Sequence, residues 1–493
     1  MRLADIMGQR PGAAAGRSVS AGWRSADRLD IAGITADSRR VAPGYLFAAL
    51  PGNRADGRTF IADAVSRGAV AVLAPEGTAW PPGVPPRPLL EDPEPRRRLA
   101  QLAAGLAGGQ PRVVVAATGT NGKTSTVEFL RQIWIAGSKP AASLGTLGLI
   151  AEGFDPGPGL TTPDPVNLAQ TLARLARAGV QHAAMEASSH GLDQFRLDGV
   201  RLAAGAFTNL TRDHLDYHGS EAAYRTAKLR LFSELLPVGA PAVAGSEMDA
   251  TTRAALAEIA AARRLDLRTV GGAGSAIRVL AVEPRPDGQV LRIDTAGVRR
   301  DVMLRLPGRF QADNALMAAA LAAALGERDV LDRLASLQGV RGRLELAARL
   351  PNGAAVYVDY AHTPDALERL LTALRPHTAG KLHVVFGAGG DRDRGKRPLM
   401  GAAASRLADV AVVTDDNPRS EDPAVIRAAV LAACPGGREI GDRARAIAEA
   451  LNGLGPGDVL TVAGKGHEQG QTIGDTVIPF DDADVVRRLV AAS

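Results

Sequence analysis

Short apolar runs alternate with helical patterns along most of the chain, which is typical of α/β domains with parallel sheets. A continuous apolar run at 112–117 is followed by a glycine-bearing turn, and a helical pattern then covers 124–136. Further apolar runs end at Glu186 and Asn209. Residues 31–73 predict short strands and a helix, and short alternating segments at 276–306 predict an antiparallel excursion. The pattern thus predicts a strand, loop and helix unit within a larger parallel sheet.

Beyond Gly342 the pattern begins again and predicts a second doubly wound sheet. Its four apolar runs cover residues 355–359, 382–386, 410–414 and 459–462. Each run is followed at once by a polar cluster, and these clusters are Tyr360–His362, Gly387–Asp393, Asp415–Arg419 and Gly464–Glu468. Because ligands of open α/β sheets bind outside the carboxyl ends of the strands, we expect the four clusters to form one site.

Two breaks in this pattern give the expected domain boundaries. Segment 80–95 is so rich in proline that we expect a linker there, with no interior helix or central strand. The second break lies near Gly339. We therefore expect an α/β protein of three domains: a small N-terminal α/β domain with the linker (1–92), a central parallel-sheet domain of P-loop ATPase type (93–339) and a C-terminal Rossmann-like domain (340–493).

The composition excludes several classes of protein. The 493 residues are 46% hydrophobic and 23% charged, without the run of about 18 apolar residues that would span a membrane. The N-terminus lacks the apolar core of a secretory signal, and the single cysteine, Cys434, cannot form an internal disulfide. We therefore expect a cytoplasmic protein.

The charge pattern favours small anionic substrates over nucleic acid. The net charge is +5, but only 4% of residues are aromatic and no basic block of five residues occurs, so stacking platforms and polybasic tracts are missing. Of the 58 basic residues only six are lysines, namely Lys123, Lys139, Lys228, Lys381, Lys396 and Lys465. In such a chain, a lysine is expected to do what a guanidinium cannot, such as offer a compact charge or a deprotonable amine.

The strongest single motif is the loop Thr118–Ser125, which lies between the apolar run and the helical pattern. Backbone N–H groups of such a loop hold phosphates, its lysine reaches the terminal phosphate oxygens, and Thr124 offers a hydroxyl to Mg²⁺. The general pattern would have glycine where this chain has Ala117. The motif therefore predicts a nucleotide-binding loop of variant sequence.

Other candidate residues are weaker when read singly. Glu186 ends a buried strand, where a carboxylate can hold a hard cation, although it could also be a solvated acid. His214 lies in a loop rich in histidine and aspartate whose spacing is not that of a structural zinc site, and it is either near a magnesium site or structural. Lys228 alone would read as a surface helix lysine, but lysine is scarce here.

Together, the motifs resemble those of the Mur ligases, ATP-dependent amide-forming enzymes of peptidoglycan synthesis. The motifs that carry the resemblance are Gly119–Ser125, Glu186–His190, Asn209–His218, Asp359–Pro364 and Asp416–Arg419. Within the family, Gly-Gly-Asp-Arg-Asp, Asp-Asn-Pro-Arg and Gly-Lys-Gly-His-Glu together are similar to members that add meso-2,6-diaminopimelate to UDP-N-acetylmuramoyl-L-alanyl-D-glutamate. The resemblance implies domains for the UDP substrate, for ATP and for the amino acid, in that order, and we expect a monomer.

The resemblance also implies roles for individual residues. Lys123 would contact the transferring phosphate, while Mg²⁺ would be held by Thr124, Glu186, His214 and a carbamylated Lys228. ATP would be bound by Gly119, Thr120, Asn121, Gly122, Lys123, Thr124, Ser125, Asn314, Arg343 and Asp359. The UDP-linked dipeptide would be bound by Ser38, Asn53, Arg54, Ala55, Thr161, Thr162, Ser188, Gln194 and Arg196. The amino acid would be bound by Arg392, Asp416, Asn417, Pro418, Arg419, Gly464 and Glu468. Gln311 departs from the family's usual asparagine.

Three alternative functions differ from this interpretation in testable ways. A lysine-adding ligase of the same family would differ only in its amino-acid substrate. A folylpolyglutamate synthetase shares the phosphate loop but should lack the Asp416–Arg419 cluster and Asp37-Ser-Arg39. A nucleotide-gated ATPase switch without ligase activity would leave Arg392, Arg419 and Glu468 unexplained.

Overall fold

The structure, a computed structural model, describes residues 1–8, 28–52, 55–157, 159–211 and 213–492. The chain divides into two compact units. The first unit comprises 1–123, 134–268 and 324–326, and the second comprises 124–133, 269–323 and 327–493. No described helix is long and apolar enough to cross a membrane.

A small parallel sheet begins the first unit. Its strands, in chain order and in sheet order, are β1 (Gly33–Thr35), β2 (Tyr45–Ala48), β3 (Ala69–Pro75) and β4 (Leu89–Asp92). The accompanying helices are Leu3–Gly8, Ile61–Ser66 and Pro95–Ala107, with short 3₁₀ turns at Ser38–Arg40 and Gly57–Phe60.

Strand β4 corrects the expectation of a linker over the whole of 80–95. It is an edge strand, and its Leu90 is fully buried in the core. Five prolines precede the strand (Pro81, Pro82, Pro85, Pro86 and Pro88) and two follow it (Pro93 and Pro95), so none of its own four residues lacks a backbone N–H. Pro95 then opens the next helix, where its missing N–H costs nothing.

The larger sheet of the first unit contains the predicted strand, loop and helix. Its strands are β5 (Val113–Thr118), β6 (Ala141–Gly145), β7 (Gly148–Ile150), β8 (His182–Glu186), β9 (Ala204–Phe207) and β10 (Pro241–Gly245). They lie in the order β7-β6-β8-β5-β9-β10, and all pairs are parallel except β6 with β7. The helices that follow these strands in the chain are Lys123–Ala136, Pro165–Arg177, Ser189–Asp193, Leu215–His218, Glu221–Arg230 and Ala250–Arg263, with a π-helical turn at Leu231–Leu235. Residues 124–133 of the first of these helices are counted in the second unit. The carboxyl ends of β5 and β8 thus lie side by side.

The predicted antiparallel excursion is confirmed. After β11 (Asp266–Gly271), strands β12 (Ile277–Arg285), β13 (Gly288–Thr295) and β14 (Val298–Leu304) form an antiparallel meander. The helix Arg309–Ala324 and a 3₁₀ turn at Asp332–Ser336 follow.

The second unit ends in the predicted second parallel sheet. Its strands are β15 (Glu345–Arg349), β16 (Ala355–Asp359), β17 (Leu382–Phe386), β18 (Val410–Val413), β19 (Arg438–Glu439) and β20 (Val459–Ala463), in the order β15-β16-β20-β17-β18-β19. Only β15 runs antiparallel to its neighbour. The helices are Pro364–Leu374, Lys396–Leu407, Pro423–Leu431, Arg443–Asn452 and Asp482–Ala491, with a 3₁₀ turn at Arg375–His377 and a hairpin of β21 (Gly470–Ile473) and β22 (Thr476–Pro479).

The helix Pro364–Leu374 shows how the sequence places these elements. Thr363 caps it by accepting a hydrogen bond from the Ala366 N–H, and Pro364 supplies a preset φ at the first position. Its four buried leucines, Leu367, Leu370, Leu371 and Leu374, recur at helical spacing and face the sheet. Each contributes about 1.5–3 kcal/mol by burial. The α/β fold class is confirmed, while the boundaries at 92 and 339 stay predictions.

Candidate active site

The phosphate-binding loop joins β5 to the helix Lys123–Ala136, as the sequence predicts. Gly119 has φ of +140°, and a Cβ there would lie 1.9 Å from Thr208 Oγ1. Any side chain would therefore displace the loop, so glycine is required by both its φ and the close approach.

Residues at the end of β9 fix the loop from the side. The N–H of Asn121 donates to Asn209 Oδ1 (3.0 Å), and Asn209 Nδ2 donates to the carbonyl of Asn121 (3.1 Å). Thr208 Oγ1 donates to the same carbonyl (2.6 Å). These bonds hold the loop in a fixed conformation, which lowers the entropic cost of binding a phosphate.

Two of the six lysines meet at one carbonyl of this loop. Lys123 Nζ donates to the carbonyl oxygen of Gly119 (2.9 Å), and Lys228 Nζ donates to the same oxygen (2.7 Å). The Lys228 side chain reaches it from the helix Glu221–Arg230, and its Nζ lies 4.4 Å from the centre of the Tyr224 ring. Lys228 is 1% exposed, so it is not a surface helix lysine.

This environment favours the neutral amine of Lys228. Burial lowers its pKa well below the ordinary lysine range, and the positive charge of Lys123 lowers it further, while Asp213 acts in the opposite direction. A neutral amine is a nucleophile, whereas an ammonium is not. The lowered pKa increases the neutral fraction of Lys228, which is the form that reacts with carbon dioxide, and the carbamylated lysine stays a prediction.

Glu186 lies at the end of β8, beside the end of β5. It is 1% exposed, and its carboxylate accepts hydrogen bonds from the Thr146 N–H (2.8 Å) and the Thr146 hydroxyl (3.3 Å). It is not a solvated strand-end acid. A buried carboxylate next to a phosphate-binding loop fits an Mg²⁺ ligand, since this ion prefers one or two carboxylates plus phosphate oxygens.

The histidines of the loop after β9 form an aromatic cluster with His190. The ring of His190 lies 5.0 Å from that of His214 and 4.0 Å from that of Tyr217. His214 itself is half exposed and has a left-handed φ of +52°. Among the described residues no group of three or more His, Cys, Asp or Glu side chains could hold a metal, so the ligand roles of Thr124, Glu186, His214 and Lys228 stay predictions.

Five of the residues predicted to bind the UDP-linked dipeptide form one hydrogen-bonded network. Ser188 Oγ donates to the hydroxyl oxygen of Thr162 (3.0 Å). The backbone carbonyl of Thr162 accepts a hydrogen bond from Arg196 Nη1 (2.6 Å). Arg196 Nη2 donates to Gln194 Oε1 (2.8 Å). The hydroxyl of Thr161 lies 3.1 Å from that of Thr146, the residue that holds Glu186. Thr162 Oγ1 donates to the backbone carbonyl of Glu186 (2.9 Å), so the network joins the predicted substrate residues to Glu186 through its backbone, and Thr161 to its carboxylate through Thr146.

Gln194 and Arg196 also line a cleft of about 770 Å³ in the first unit. Arg40, Arg96 and Arg177 line the same cleft, which gives it a basic character suited to an anionic ligand. Ser38 is buried, and its neighbour Asp37 lines the cleft while paired with Arg39. Asn53 and Arg54 lie outside the described residues, and Ala55 is exposed.

The second unit brings most of the predicted amino-acid residues together. Asn417 Nδ2 donates to Glu468 Oε2 (3.0 Å), and Lys465 Nζ donates to Asn417 Oδ1 (2.9 Å). A Cβ on Gly464 would lie 2.5 Å from Asp416 Oδ2, so the two loops are in close contact. Arg392 is exposed and is not part of this network.

The remaining predicted ATP residues also lie in the second unit. Arg343 lies over the ring of Tyr360 at 4.6 Å. Asp359 accepts hydrogen bonds from the N–H groups of Leu344 (2.7 Å) and Ala361 (2.9 Å), and burial raises the pKa of its carboxyl despite the opposing charge of Arg343. Asn314 is buried on the helix Arg309–Ala324. Gln311, at the departure from the family pattern, donates to the carbonyl of Arg343 (2.9 Å).

Two residues of these networks were missed. Thr146 could not be identified from the sequence, because its backbone N–H, which every residue except proline has, donates the shorter of its two hydrogen bonds to Glu186. Lys465 is fully buried and holds Asn417. Both the scarcity of lysine and its place in the Gly464–Glu468 cluster pointed to it, but no individual role was assigned to it.

Gly145 provides a test of how Glu186 is placed. A Cβ at Gly145 would lie 2.1 Å from Glu186 Oε1, so Gly145→Ala must displace this carboxylate. We expect activity, or affinity for Mg²⁺, to fall about 10- to 100-fold, as for other changes that misplace a metal ligand. Titrating the rate with Mg²⁺ at fixed ATP measures this effect. Gly109→Ala, where a Cβ would meet nothing within 4 Å, is the matched control, and equal behaviour of the two variants would contradict the assignment.

Comparison with known proteins yields three family profiles that match in succession. They are the Mur ligase family catalytic domain (30–105), the Mur ligase middle domain (117–322) and the Mur ligase glutamate ligase domain (342–466).

Curated relatives match over nearly the full length. The UDP-N-acetylmuramoyl-L-alanyl-D-glutamate–2,6-diaminopimelate ligase of Caulobacter vibrioides is 55% identical over 92% of this chain and 94% of its own. The protein of the same name from Mesorhizobium japonicum is 52% identical over 99% of this chain and 98% of its own.

Solved structures agree in fold. A structure of UDP-N-acetylmuramoyl-L-alanyl-D-glutamate–2,6-diaminopimelate ligase matches with a TM-score of 0.73 and 31% identity, covering 100% of this chain and 99% of that one. MurF ligase from Thermotoga maritima in complex with ADP matches at a TM-score of 0.63 and 18% identity, over 94% and 98% of the two chains, and so supports the fold alone. The two curated relatives are more than 50% identical over nearly the whole chain, and three Mur ligase profiles match it in succession. The chain therefore belongs to the Mur ligase family.

Proposed function

We propose that the protein adds meso-2,6-diaminopimelate to UDP-N-acetylmuramoyl-L-alanyl-D-glutamate with hydrolysis of ATP, a step of peptidoglycan synthesis. The observation that carries the proposal is the full-length identity of 55% and 52% to two proteins named for this reaction. The network of Asn417, Lys465 and Glu468 supports an amino-acid site in the second unit. We further propose the domain limits 1–92, 93–339 and 340–493.

The proposed chemistry has two balanced steps. First, a carboxylate oxygen of the dipeptide attacks the γ-phosphorus of ATP, the bond from this phosphorus to the bridging oxygen breaks, and ADP leaves. Second, the neutral amine of the amino acid attacks the acyl carbon, and the tetrahedral intermediate expels phosphate while the nitrogen loses a proton to water. Both steps need stabilisation of developing negative charge more than a protein nucleophile.

Residues of the phosphate-binding loop and of the loops near it would give that stabilisation. The ammonium of Lys123 lies at the mouth of the rigid loop, where it would contact the transferring phosphoryl group. Thr162, Ser188 and Arg196 would orient the dipeptide, since their hydrogen bonds to one another fix their positions. Thr124, Glu186 and His214 would hold Mg²⁺, which supplies charge neutralisation at the phosphates when bound.

Lys228 would complete this set after reaction with carbon dioxide. Its neutral amine attacks the carbon of CO₂, an N–C bond forms as one C=O π bond breaks, and the nitrogen releases a proton to water. The product is a carbamate, an anionic oxygen donor of the kind that Mg²⁺ prefers. Arginine cannot form this group, which accounts for a buried lysine in an arginine-rich chain.

A substrate-omission assay tests the proposed function. We expect steady phosphate release only when ATP, the UDP-linked dipeptide and diaminopimelate are all present, together with a product that contains the new amide. Colorimetric phosphate release and mass spectrometry of the product measure the two outcomes. Sustained phosphate release without any amino acid would instead support an ATPase switch.

A further inference from the structure

A buried ion pair lies directly behind the two loops of the proposed amino-acid site. Arg443 begins the helix Arg443–Asn452, and Asp482 begins the helix Asp482–Ala491. Both side chains are 0% exposed, and the guanidinium donates from Nε and Nη2 to the two carboxylate oxygens, each at 2.7 Å.

The same guanidinium also holds the backbone of both loops. Its Nη2 donates to the carbonyl of Ala463 (3.0 Å), and its Nη1 donates to the carbonyl of Asp415 (3.3 Å). Ala463 is the last residue of β20 and directly precedes Gly464, while Asp415 directly precedes Asp416. One side chain therefore connects the starting points of both loops.

The spacing of the two loops has little freedom. Gly464 has φ of +122°, and a Cβ there would lie 2.5 Å from Asp416 Oδ2. Further along, Asn417 and Glu468 bond each other across the loops. A small shift between the ends of β18 and β20 would therefore change the distance between Asp416 and Gly464 and that between Asn417 and Glu468.

A contribution to the stability of the fold is not enough to explain the buried ion pair of Arg443 and Asp482. Removing two charges from water is costly, and replacing a buried ion pair by apolar side chains of similar volume is often neutral or stabilising. The planar fork of arginine, by contrast, can bond a carboxylate and two carbonyls in fixed directions at once.

We propose that Arg443, anchored by Asp482, is a positioning residue that sets the spacing between the loops Asp416–Arg419 and Gly464–Glu468 and thereby the affinity for the incoming amino acid. The inference rests on the proposed function, since it assigns these loops to amino-acid binding. Arg443 contacts neither substrate nor cofactor in this proposal. It acts through the two carbonyls and through its charge near Asp416 and Glu468, and Arg443→Lys keeps that charge while it removes the fork.

The decisive variant is the double substitution Arg443→Met with Asp482→Leu. It removes both charges together, so no buried charge is left without a partner, and we expect a melting temperature near that of the parent. The KM for the amino acid should rise at least about tenfold, because the two tethers are lost, which corresponds to about 1.4 kcal/mol. The KM values for ATP and for the UDP-linked dipeptide should stay within about twofold of the parent.

A second Arg443 variant covers the case in which the double variant does not fold, and a third variant is the control. Arg443→Lys retains the charge next to Asp482 but lacks the fork, so it should fold and show the same selective rise in KM if the double variant does not fold. Arg445→Met is the matched control: Arg445 lies two residues further along the same helix and pairs with Glu449 at the surface rather than with either loop, and its loss should leave the KM for the amino acid within about twofold.

Hydrogen exchange separates this proposal from the proposed function. Amides of 415–420 and 463–468 should exchange faster in the double variant than in the parent, whatever the enzyme ligates. A folded variant with parental exchange and parental KM for the amino acid would overturn the positioning role. A parent that ligates no amino acid would contradict the proposed function while the exchange result still decides the role of Arg443.

Discussion

Lys228→Ala is expected to lower ligation about a hundredfold or more while the protein stays folded. The variant removes the amine that shares the Gly119 carbonyl with Lys123, and with it the group that would become an anionic metal ligand. Because burial already disfavours the charged form of Lys228, its loss should cost the fold little beyond a small cavity. Phosphate release with all three substrates and a thermal melt measure the two effects.

Rescue by an added acid, isotope labelling and two further lysine variants test whether Lys228 acts as a carbamate. Acetate is expected to restore part of the activity of Lys228→Ala by placing a carboxylate in the gap. In the parent, ¹³C-labelled bicarbonate should give a carbamate resonance that is absent from the variant. Lys381→Ala, which removes an exposed lysine, is the control and should retain full activity. Full activity of Lys228→Arg would refute the assignment, since a guanidinium cannot form a carbamate.

Hydrophobic periodicity predicted the bounds of almost fully buried elements most accurately. The strand at 113–118 and the helix after it were predicted to within one residue, because a fully buried strand leaves a continuous apolar run. Strand β4 was missed because only Leu90 and Asp92 of its four residues are buried, and the prolines before it hide so short a pattern. Edge strands of this kind depend on a neighbour rather than on their own sequence.

The candidate site was predictable where chemistry selects a residue type. The scarcity of lysine pointed to Lys228, and the structure shows it buried beside the phosphate loop. Contacts made by backbone groups could not be predicted. The Gly119 carbonyl between two lysines and the two carbonyls held by Arg443 leave no trace in side-chain identity, because any residue carries a carbonyl.

The second large effect concerns the choice of amino acid and depends on Arg419. Its backbone has φ of +52° and is held by the hairpin: its N–H donates to the carbonyl of Thr472 (3.1 Å), and its carbonyl accepts from the Gly474 N–H (2.7 Å). Nη1 donates to the carbonyl of Gly390 (2.8 Å), which fixes the direction of the guanidinium. This arrangement presents a preset planar fork, the geometry that suits a carboxylate.

Diaminopimelate differs from lysine by one carboxylate on the distal carbon, so selectivity requires a group that pairs with it. Lysine would leave the Arg419 charge without a partner, at a cost of about 2–5 kcal/mol, or about thirtyfold to several thousandfold in kcat/KM. We therefore expect the parent to favour diaminopimelate by at least about thirtyfold. In Arg419→Ala, kcat/KM for diaminopimelate should fall because the carboxylate loses its partner, while that for lysine should rise because no charge is left unpaired, so the ratio should approach one. Competition between the two amino acids, with products separated by mass, measures the ratio.

Two controls separate charge from shape at this position. Arg419→Lys keeps a positive charge but lacks the fork, so its selectivity should fall between those of the parent and Arg419→Ala. Arg406→Ala removes an exposed arginine that pairs with Glu368 and should leave the ratio unchanged. Equal efficiency of the parent with both amino acids would defeat the assignment. An Arg419→Ala enzyme that rejects lysine as strongly as the parent would defeat it too, because discrimination would then arise from another group.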